Sequence, residues 1–196
     1  MPRVMNTPAK TAPTTSGFIQ WLYGLAEAND RARLAALRRG LMLDRHQLYE
    51  LYRVIPPQFL DGASDVDARR RTLLAALFAA HPLFFPETAA DGPARRRNLG
   101  HSLRLLAERQ PADEAGELPE TLKRRMDILL SAHADDVFAH LQQVIRLLKA
   151  AEIPVDWGQL LWDLRGWDRD DRRVQWEWSR SFYVGRSREG GETDVS

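Results

Sequence analysis

Apolar residues recur every three or four positions along most of the chain, which is the spacing of one face of an α-helix. Between positions 66 and 80, for example, Leu73, Leu74, Leu77 and Phe78 follow this spacing. No segment alternates apolar and polar residues as a half-buried strand does. The pattern predicts an all-α fold, a helical bundle of about eight to nine helices in two packed sub-bundles.

Residues that favour helix ends lie at the edges of these segments. Asp30, Asp44, Asn98 and Asp156 each precede an apolar run and can cap a helix, and Pro119 suits a first helical turn. The predicted helices begin near positions 16, 30, 44, 66, 98, 119, 135, 156 and 168.

Polar, aperiodic stretches divide the chain into four predicted parts. Residues 1–15 are a disordered lead and residues 185–196 a disordered tail. A polar loop near 86–94 separates an N-terminal helical part, 16–92, from a C-terminal helical part, 93–184.

Composition narrows the possible functions. The absence of cysteine excludes a disulfide framework, a thiolate metal site and a cysteine nucleophile. The N-terminus carries no basic region followed by an apolar run, and no stretch reaches the roughly 18 apolar residues that span a bilayer. We therefore expect a cytoplasmic protein without a membrane partner.

The basic residues are mostly arginine and are unevenly placed. The 28 basic residues comprise 25 Arg and 3 Lys, against 27 acidic residues, so the net charge is only +1. Arginine suits phosphate because its planar guanidinium can donate two parallel hydrogen bonds. An arginine bias also arises from codon usage in GC-rich genomes. The positions of the arginines therefore have to distinguish phosphate binding from codon bias.

Several basic residues share helix faces that lie away from the apolar positions. Arg97, His101 and Arg104 share one such face, and a triplet of arginines lies near the predicted start of a helix, where positive charge is unfavourable. Such cations can neutralise nucleic-acid backbone, or they can simply be solvated. The cations that the faces select are Arg69, Arg70, Arg71, Arg97, Arg104, Lys123, Arg146 and Lys149.

Tryptophan is concentrated in the last two predicted helices. Val174, Trp178 and Phe182 form one apolar stripe, which predicts a core seam. Trp176 instead shares a face with Arg173 and Arg180, and could stack on a base or contact a protein partner.

One compact set of residues has metal-ligand chemistry. It consists of His133, Asp135, Asp136 and His140, but no second carboxylate–histidine motif completes a site, and the aspartates suit a helix start. The chain also lacks a Gly-rich phosphate loop and a nucleophile elbow. We therefore expect no enzyme activity, no metal and no cofactor.

The order of several blocks resembles the CasB family, the small subunit of the type I-E CRISPR Cascade surveillance complex. The blocks include "FIQWLYGL", "LAALRRG", "LYELYRVIPP", "RTLLAALFAAHP", "NLGHSLRLLA", "LKRRMDILL" and a Trp-rich end, "VDWGQLLWDLRGWDRDDRRVQWEWSRSFY". The resemblance covers roughly residues 16–184. His101 departs from it, because arginine is expected there.

The resemblance implies a non-catalytic subunit, two copies of which lie beside the other Cascade subunits. Its basic surface would help to hold the guide RNA–target DNA region and the displaced DNA strand. The positions that match the family's basic motifs are Arg38, Arg39, Arg53, Arg124 and Arg125. The alternative function is a helical protein–protein adaptor that binds no nucleic acid.

Overall fold

The computed structural model describes residues 15–42, 48–86, 97–110 and 118–184. Within these ranges the elements are helical, apart from an isolated parallel bridge between Phe84 and Val155. The α-helices are α1 (Thr15–Glu27), α2 (Arg31–Arg38), α3 (Asp65–Ala80), α4 (Leu99–Glu108), α5 (Glu120–Ser131), α6 (Val137–Ala150), α7 (Trp157–Arg165) and α8 (Arg173–Tyr183). The all-α prediction is therefore confirmed.

Side-chain caps fix several helix starts where the sequence predicts them. Asp30, Asn98 and Asp156 each accept a hydrogen bond from the backbone N–H three residues later, at 3.0, 3.2 and 2.8 Å. Ser64 does the same for α3. These bonds satisfy backbone donors that a helix start leaves without a partner.

The helix predicted to begin at Asp44 differs from the structure. The helix expected from Asp44 is a short 3-10 helix, Leu48–Arg53, which ends shortly before Pro56 and Pro57; Asp44 itself lies outside the described residues. Proline cannot donate the helical hydrogen bond, which limits the length of this segment.

The last helix begins later than predicted. It was expected to start near Asp168 but starts at Arg173. In the turn before it, the Asp171 carboxylate binds both the Arg169 side chain and the Arg173 backbone N–H. Arg172 has a φ of 46°, a left-handed conformation that a helix cannot continue.

One hydrophobic core joins the two halves of the chain. The buried cluster includes Phe18, Leu77 and Phe78 from the N-terminal half and Trp157 and Trp178 from the C-terminal half. Phe78 and Trp157 meet edge to face with ring centroids 5.5 Å apart. The predicted boundary at 92 and 93 lies outside the described residues, as do the predicted lead up to residue 14 and the tail.

Helices α4 and α8 touch through their backbones. A Cβ at Gly100 would lie 2.1 Å from the Trp178 carbonyl oxygen, so this position of α4 has no room for a side chain. Asn98 adds hydrogen bonds to the Glu177 carbonyl and the Ser181 hydroxyl at 3.2 and 2.9 Å. The position of α8 is therefore fixed against α4. No helix in the described ranges is long and apolar enough to cross a membrane.

Candidate nucleic-acid interface

Helices α3 and α6 pack side by side and run in the same direction. Near their N-termini, an Arg69 guanidinium nitrogen lies 4.0 Å from a carboxylate oxygen of Asp135, which is two residues before α6. Just past their C-termini, the ring Nε2 of His81 lies 2.7 Å from the Ile153 carbonyl oxygen. The pair therefore has an N-terminal end and a C-terminal end, and basic residues lie at both.

The arginines at the N-terminal end are matched with carboxylates. We call Arg69, Arg70 and Arg71 the N-end arginines. Arg69 faces Asp135, and Arg70 lies 3.3 Å from a carboxylate oxygen of Asp168 in the turn before α8. All three were predicted to bind nucleic acid, but their positive charge is largely balanced within the molecule.

Arg71 points into the protein. Its side chain is 9% exposed, lies 2.9 Å from a carboxylate oxygen of Asp67, and donates a hydrogen bond to the Phe59 carbonyl. Asp67 also binds Arg165 of α7 through two hydrogen bonds of 2.7 and 2.8 Å. Arg71 therefore ties α3 to its neighbours, and its guanidinium is not accessible to a phosphate.

Half-buried Asp67, within this network, and buried Asp163, beside it, differ in their partners. Burial alone would raise the pKa of Asp67, but hydrogen bonds and charge from Arg165 and Arg71 outweigh it and lower that pKa. Asp163 of α7 forms no ion pair with an arginine in the part of the chain that the structure describes, and it accepts hydrogen bonds from Trp178 Nε1 and Gln159 Nε2, both at 2.6 Å. Its burial raises its pKa to about 6 despite these bonds.

At the C-terminal end, guanidinium groups bind backbone carbonyls instead of carboxylates. Arg38 Nε donates to the Ala79 carbonyl near the end of α3, at 3.0 Å. A terminal guanidinium nitrogen of Arg109 donates to the Ala151 carbonyl after α6, at 2.6 Å. Both side chains are exposed, and each guanidinium has further N–H donors beyond the one in this bond.

Three more exposed cations lie beside these two arginines. Arg39 follows Arg38 in the chain, Arg146 lies one turn before Lys149 on α6, and Lys149 lies close enough to His81 to affect its titration. Burial lowers the pKa of His81, and the Lys149 charge lowers it further, against a hydrogen bond to Ile153 that raises it. We call Arg38, Arg39, Arg109, Arg146 and Lys149 the C-end cations.

The C-end cations have no acidic partners within the described ranges. None of them forms an ion pair with a carboxylate there, although the protein has nearly equal numbers of acidic and basic residues. This end of the molecule therefore carries positive charge that is accessible to an anion.

Helix α5 carries a second exposed basic group. Arg124 and Arg125 are exposed and form no ion pair within the described ranges, whereas Lys123 lies 3.8 Å from a Glu120 carboxylate oxygen. A shallow groove of about 420 Å³ is lined by both arginines together with Glu120, Thr121 and Ile128. Arg124 and Arg125 therefore match the expectation for accessible cations better than Lys123 does.

The remaining predicted residues lie in different settings. Arg53 is exposed at the end of the 3-10 helix, and Arg97 stacks over the Phe85 ring at 4.4 Å. Arg104 binds Glu108 at 2.8 Å and the Phe182 carbonyl at the end of α8 at 3.3 Å. The Arg104 guanidinium thus stabilises the contact between α4 and α8.

Arg109 is the basic residue of this site that sequence reasoning missed. It comes directly after Glu108, the last residue of α4, so the apolar spacing of that helix does not assign it to a face. Arginine just after a helix end can bind carbonyl groups, and that was the signal available.

In the described residues, no three His, Asp or Glu side chains converge as a metal site.

The fold of this chain is similar to that of several solved structures. CasB from Thermus thermophilus is 26% identical, with a TM-score of 0.64 over 87% of this chain and 97% of that one. A chain of a CRISPR RNA-guided surveillance complex in a pre-nicking state is 27% identical, with a TM-score of 0.65 over 86% and 90% of the two chains. CasB from Thermobifida fusca, 22% identical, shares the fold with a TM-score of 0.57 over 90% and 99%.

No curated protein matches the sequence.

The family comparison covers most of the chain. The model of the CRISPR-associated protein Cse2 family matches residues 33–183, which include all eight α-helices except α1 and the first residues of α2. The chain therefore belongs to the CRISPR-associated Cse2 family.

Proposed function

We propose that this protein is the non-catalytic small subunit of the type I-E CRISPR Cascade complex and that it binds nucleic-acid backbone. Its partners would be the other subunits, a second copy of itself, the guide RNA and the target DNA with its displaced strand. Family membership supports the assignment, as does the likeness to a chain of an RNA-guided surveillance complex.

The observation that carries the binding proposal is the group of C-end cations. Five exposed cations, none paired with a carboxylate of the described ranges, lie at one end of the α3–α6 pair in a protein whose net charge is only +1. Guanidinium groups bind phosphate oxygens through two parallel hydrogen bonds, and they release counterions from the nucleic acid when they do so. Contacts of this kind position a nucleic acid without reading its sequence.

The first test removes two charges from the C-terminal end. Arg146→Gln combined with Lys149→Gln changes two exposed side chains of one helix. In the complex assembled with guide RNA, we expect weaker target binding that is independent of sequence. The slope of log affinity against log salt should fall by about 0.9 for each duplex phosphate contact that is lost.

The matched control removes the same charge from the N-terminal end. Arg69→Gln combined with Arg70→Gln also subtracts two charges, but from side chains that face Asp135 and Asp168. We expect a much smaller change in the salt slope. Equal losses in both variants would show that only net charge matters. No loss in either would favour the adaptor that binds no nucleic acid.

The cations of α5 are tested separately. Arg124→Ala combined with Arg125→Ala removes the two exposed arginines that match the family's motif. We expect binding to weaken across all sequences, with a smaller salt slope. An unchanged affinity and slope would remove α5 from the interface.

A further inference from the structure

Helix α8 exposes a tryptophan on the side that faces away from the core. Its inner face buries Val174, Trp178 and Phe182, whereas Trp176 is 68% exposed. Arg173 lies one turn before Trp176 and Arg180 one turn after it, on the same outer face. An exposed indole between two arginines offers a flat apolar surface with positive charge at its edges.

The neighbouring helix extends this outer face. Tyr183 of α8 donates its hydroxyl hydrogen bond to the Asp127 carboxylate of α5 at 2.8 Å, which joins the two helices at the surface. The next residue, Ile128, is 46% exposed, and Arg124 and Arg125 lie one turn before it. We define the α5–α8 face by Arg124, Arg125, Ile128, Trp176, Arg180 and Tyr183.

The charges of the α5–α8 face are mostly available to an anion. Arg173 is paired with Glu177 at 2.8 Å, and Glu120, which lines the groove of Arg124 and Arg125, lies 3.8 Å from Lys123. Asp127 accepts the Tyr183 hydrogen bond, which does not offset a negative charge, so this carboxylate counts against the face. Arg124, Arg125 and Arg180 form no ion pair within the described ranges. Among the described residues the face therefore combines three guanidinium groups outside any ion pair, one acidic neighbour and exposed aromatic surface.

Single-stranded nucleic acid matches both features repeatedly along its length. Each nucleotide of a single strand offers one phosphate to an arginine and one flat base to an aromatic ring. A duplex offers the phosphates but covers the faces of its bases. We propose that the α5–α8 face binds single-stranded nucleic acid, with an unpaired base stacked on Trp176. This inference rests on the proposed function, since it assigns the strand class to a second part of the basic surface.

The test separates base stacking from phosphate binding. The full-length protein is titrated with a short oligothymidylate, with an abasic deoxyribose-phosphate strand of the same length, and with a duplex. We expect the wild type to prefer the oligothymidylate over the abasic strand by roughly 5- to 100-fold for one stacked base. Trp176→Ala should abolish that preference and leave the affinity for the abasic strand unchanged.

Two further variants control for the nature of the side chain. Trp176→Phe keeps an aromatic ring and should retain part of the preference. Trp162→Ala removes another tryptophan, 57% exposed, on α7. The arginines that line the groove with Trp162 are each paired with a carboxylate: Arg165 with Asp67, Arg169 with Asp171 and Arg173 with Glu177. This variant should therefore leave the preference intact. Melting curves should be alike for all variants, because both tryptophans are largely in solvent.

Each outcome separates this inference from the proposed function. If the wild type binds every strand with a salt dependence but shows no preference for bases, the stacking site is wrong and backbone binding stands. An equal loss of preference in Trp162→Ala also overturns the assignment to Trp176. If Trp176→Ala keeps the preference but weakens assembly with the other subunits, the face is a protein contact. If the wild type binds no strand at all, alone or in the assembled complex, both proposals fail.

Discussion

The two ends of the α3–α6 pair contain similar side chains in opposite electrostatic settings. At the N-terminal end, Arg69, Arg70 and Arg71 face Asp135, Asp168 and Asp67. At the C-terminal end, Arg38 and Arg109 bind carbonyl oxygens, which are neutral, and no carboxylate among the described residues compensates their charge. The number of arginines is thus a poor guide to where an anion can bind, and the identity of their partners is a better one.

The difference also separates stability from binding. An arginine whose carboxylate partner is buried holds helices together, because removing either partner leaves a charge without compensation. An exposed arginine that binds a carbonyl contributes little to folding but keeps its charge for a ligand. The network of Asp67, Arg71 and Arg165 at the N-terminal end should therefore respond to mutation in stability, and the C-terminal end in affinity.

The largest effect is expected from Asp67→Ala. This substitution leaves Arg71 and Arg165 without their shared partner between α3 and α7. We expect a loss of about 3–5 kcal/mol in the free energy of unfolding, measured by denaturant titration. Nucleic-acid affinity of the folded protein should change little. A loss below about 1 kcal/mol would show that the N-terminal end is not a stability network.

The pH dependence of stability sharpens the same contrast between paired and unpaired groups. Arginine partners lower the pKa of Asp67, so its stabilising contribution is complete above the unfolded value of 3.8 and is lost as the pH falls through the lowered pKa. Burial raises the pKa of Asp163, which has no arginine partner among the described residues, to about 6, so its ionisation destabilises the protein as the pH rises from 3.8 to about 6.

Substitutions by asparagine separate these two contributions. Asp163→Asn should abolish the decline in the free energy of unfolding between pH 3.8 and about 6. For a shift of two pKa units, that decline in the wild type is at most about 3 kcal/mol. Asp67→Asn should be less stable than the wild type at neutral pH, with the difference shrinking in acid. Denaturant titrations over the pH range measure both, and parallel profiles for the two variants would contradict the contrast.

The smallest effect in stability comes from removing the acidic partners at the N-terminal end. Asp135→Asn combined with Asp168→Asn frees the charges of Arg69 and Arg70 while changing two exposed carboxylates. Stability should change by less than about 1 kcal/mol, as for surface ion pairs. Non-specific nucleic-acid affinity should rise and its salt dependence steepen. If affinity does not rise, the partners of the N-end arginines are not what keeps them from binding.

Much of the fold follows from the sequence because apolar spacing and caps act locally. The buried stripe of Trp178 and the caps at Asp30, Asn98 and Asp156 needed only neighbouring residues for their prediction. The start of α8 was misplaced because Asp171 stabilises a turn through contacts that compete with helix formation.

The partners of the arginines could not be predicted in the same way. Arg70 and Asp168, and likewise Asp67 and Arg165, are 98 residues apart in the chain, so their pairing depends on how the helices pack. The face analysis selected Arg71 as readily as Arg146, although one is buried and the other exposed. Arg109 was missed because its role depends on the end of a distant helix.

The carbonyl contacts of Arg38 and Arg109 also affect the entropy of binding. A free arginine on a surface samples many rotamers, and fixing one on a ligand costs about 0.5–1.5 kcal/mol. These two side chains are already held by hydrogen bonds to the Ala79 and Ala151 carbonyls, although both are exposed. A phosphate that arrives at this end therefore meets preorganised guanidinium groups, and less conformational freedom is lost when it binds.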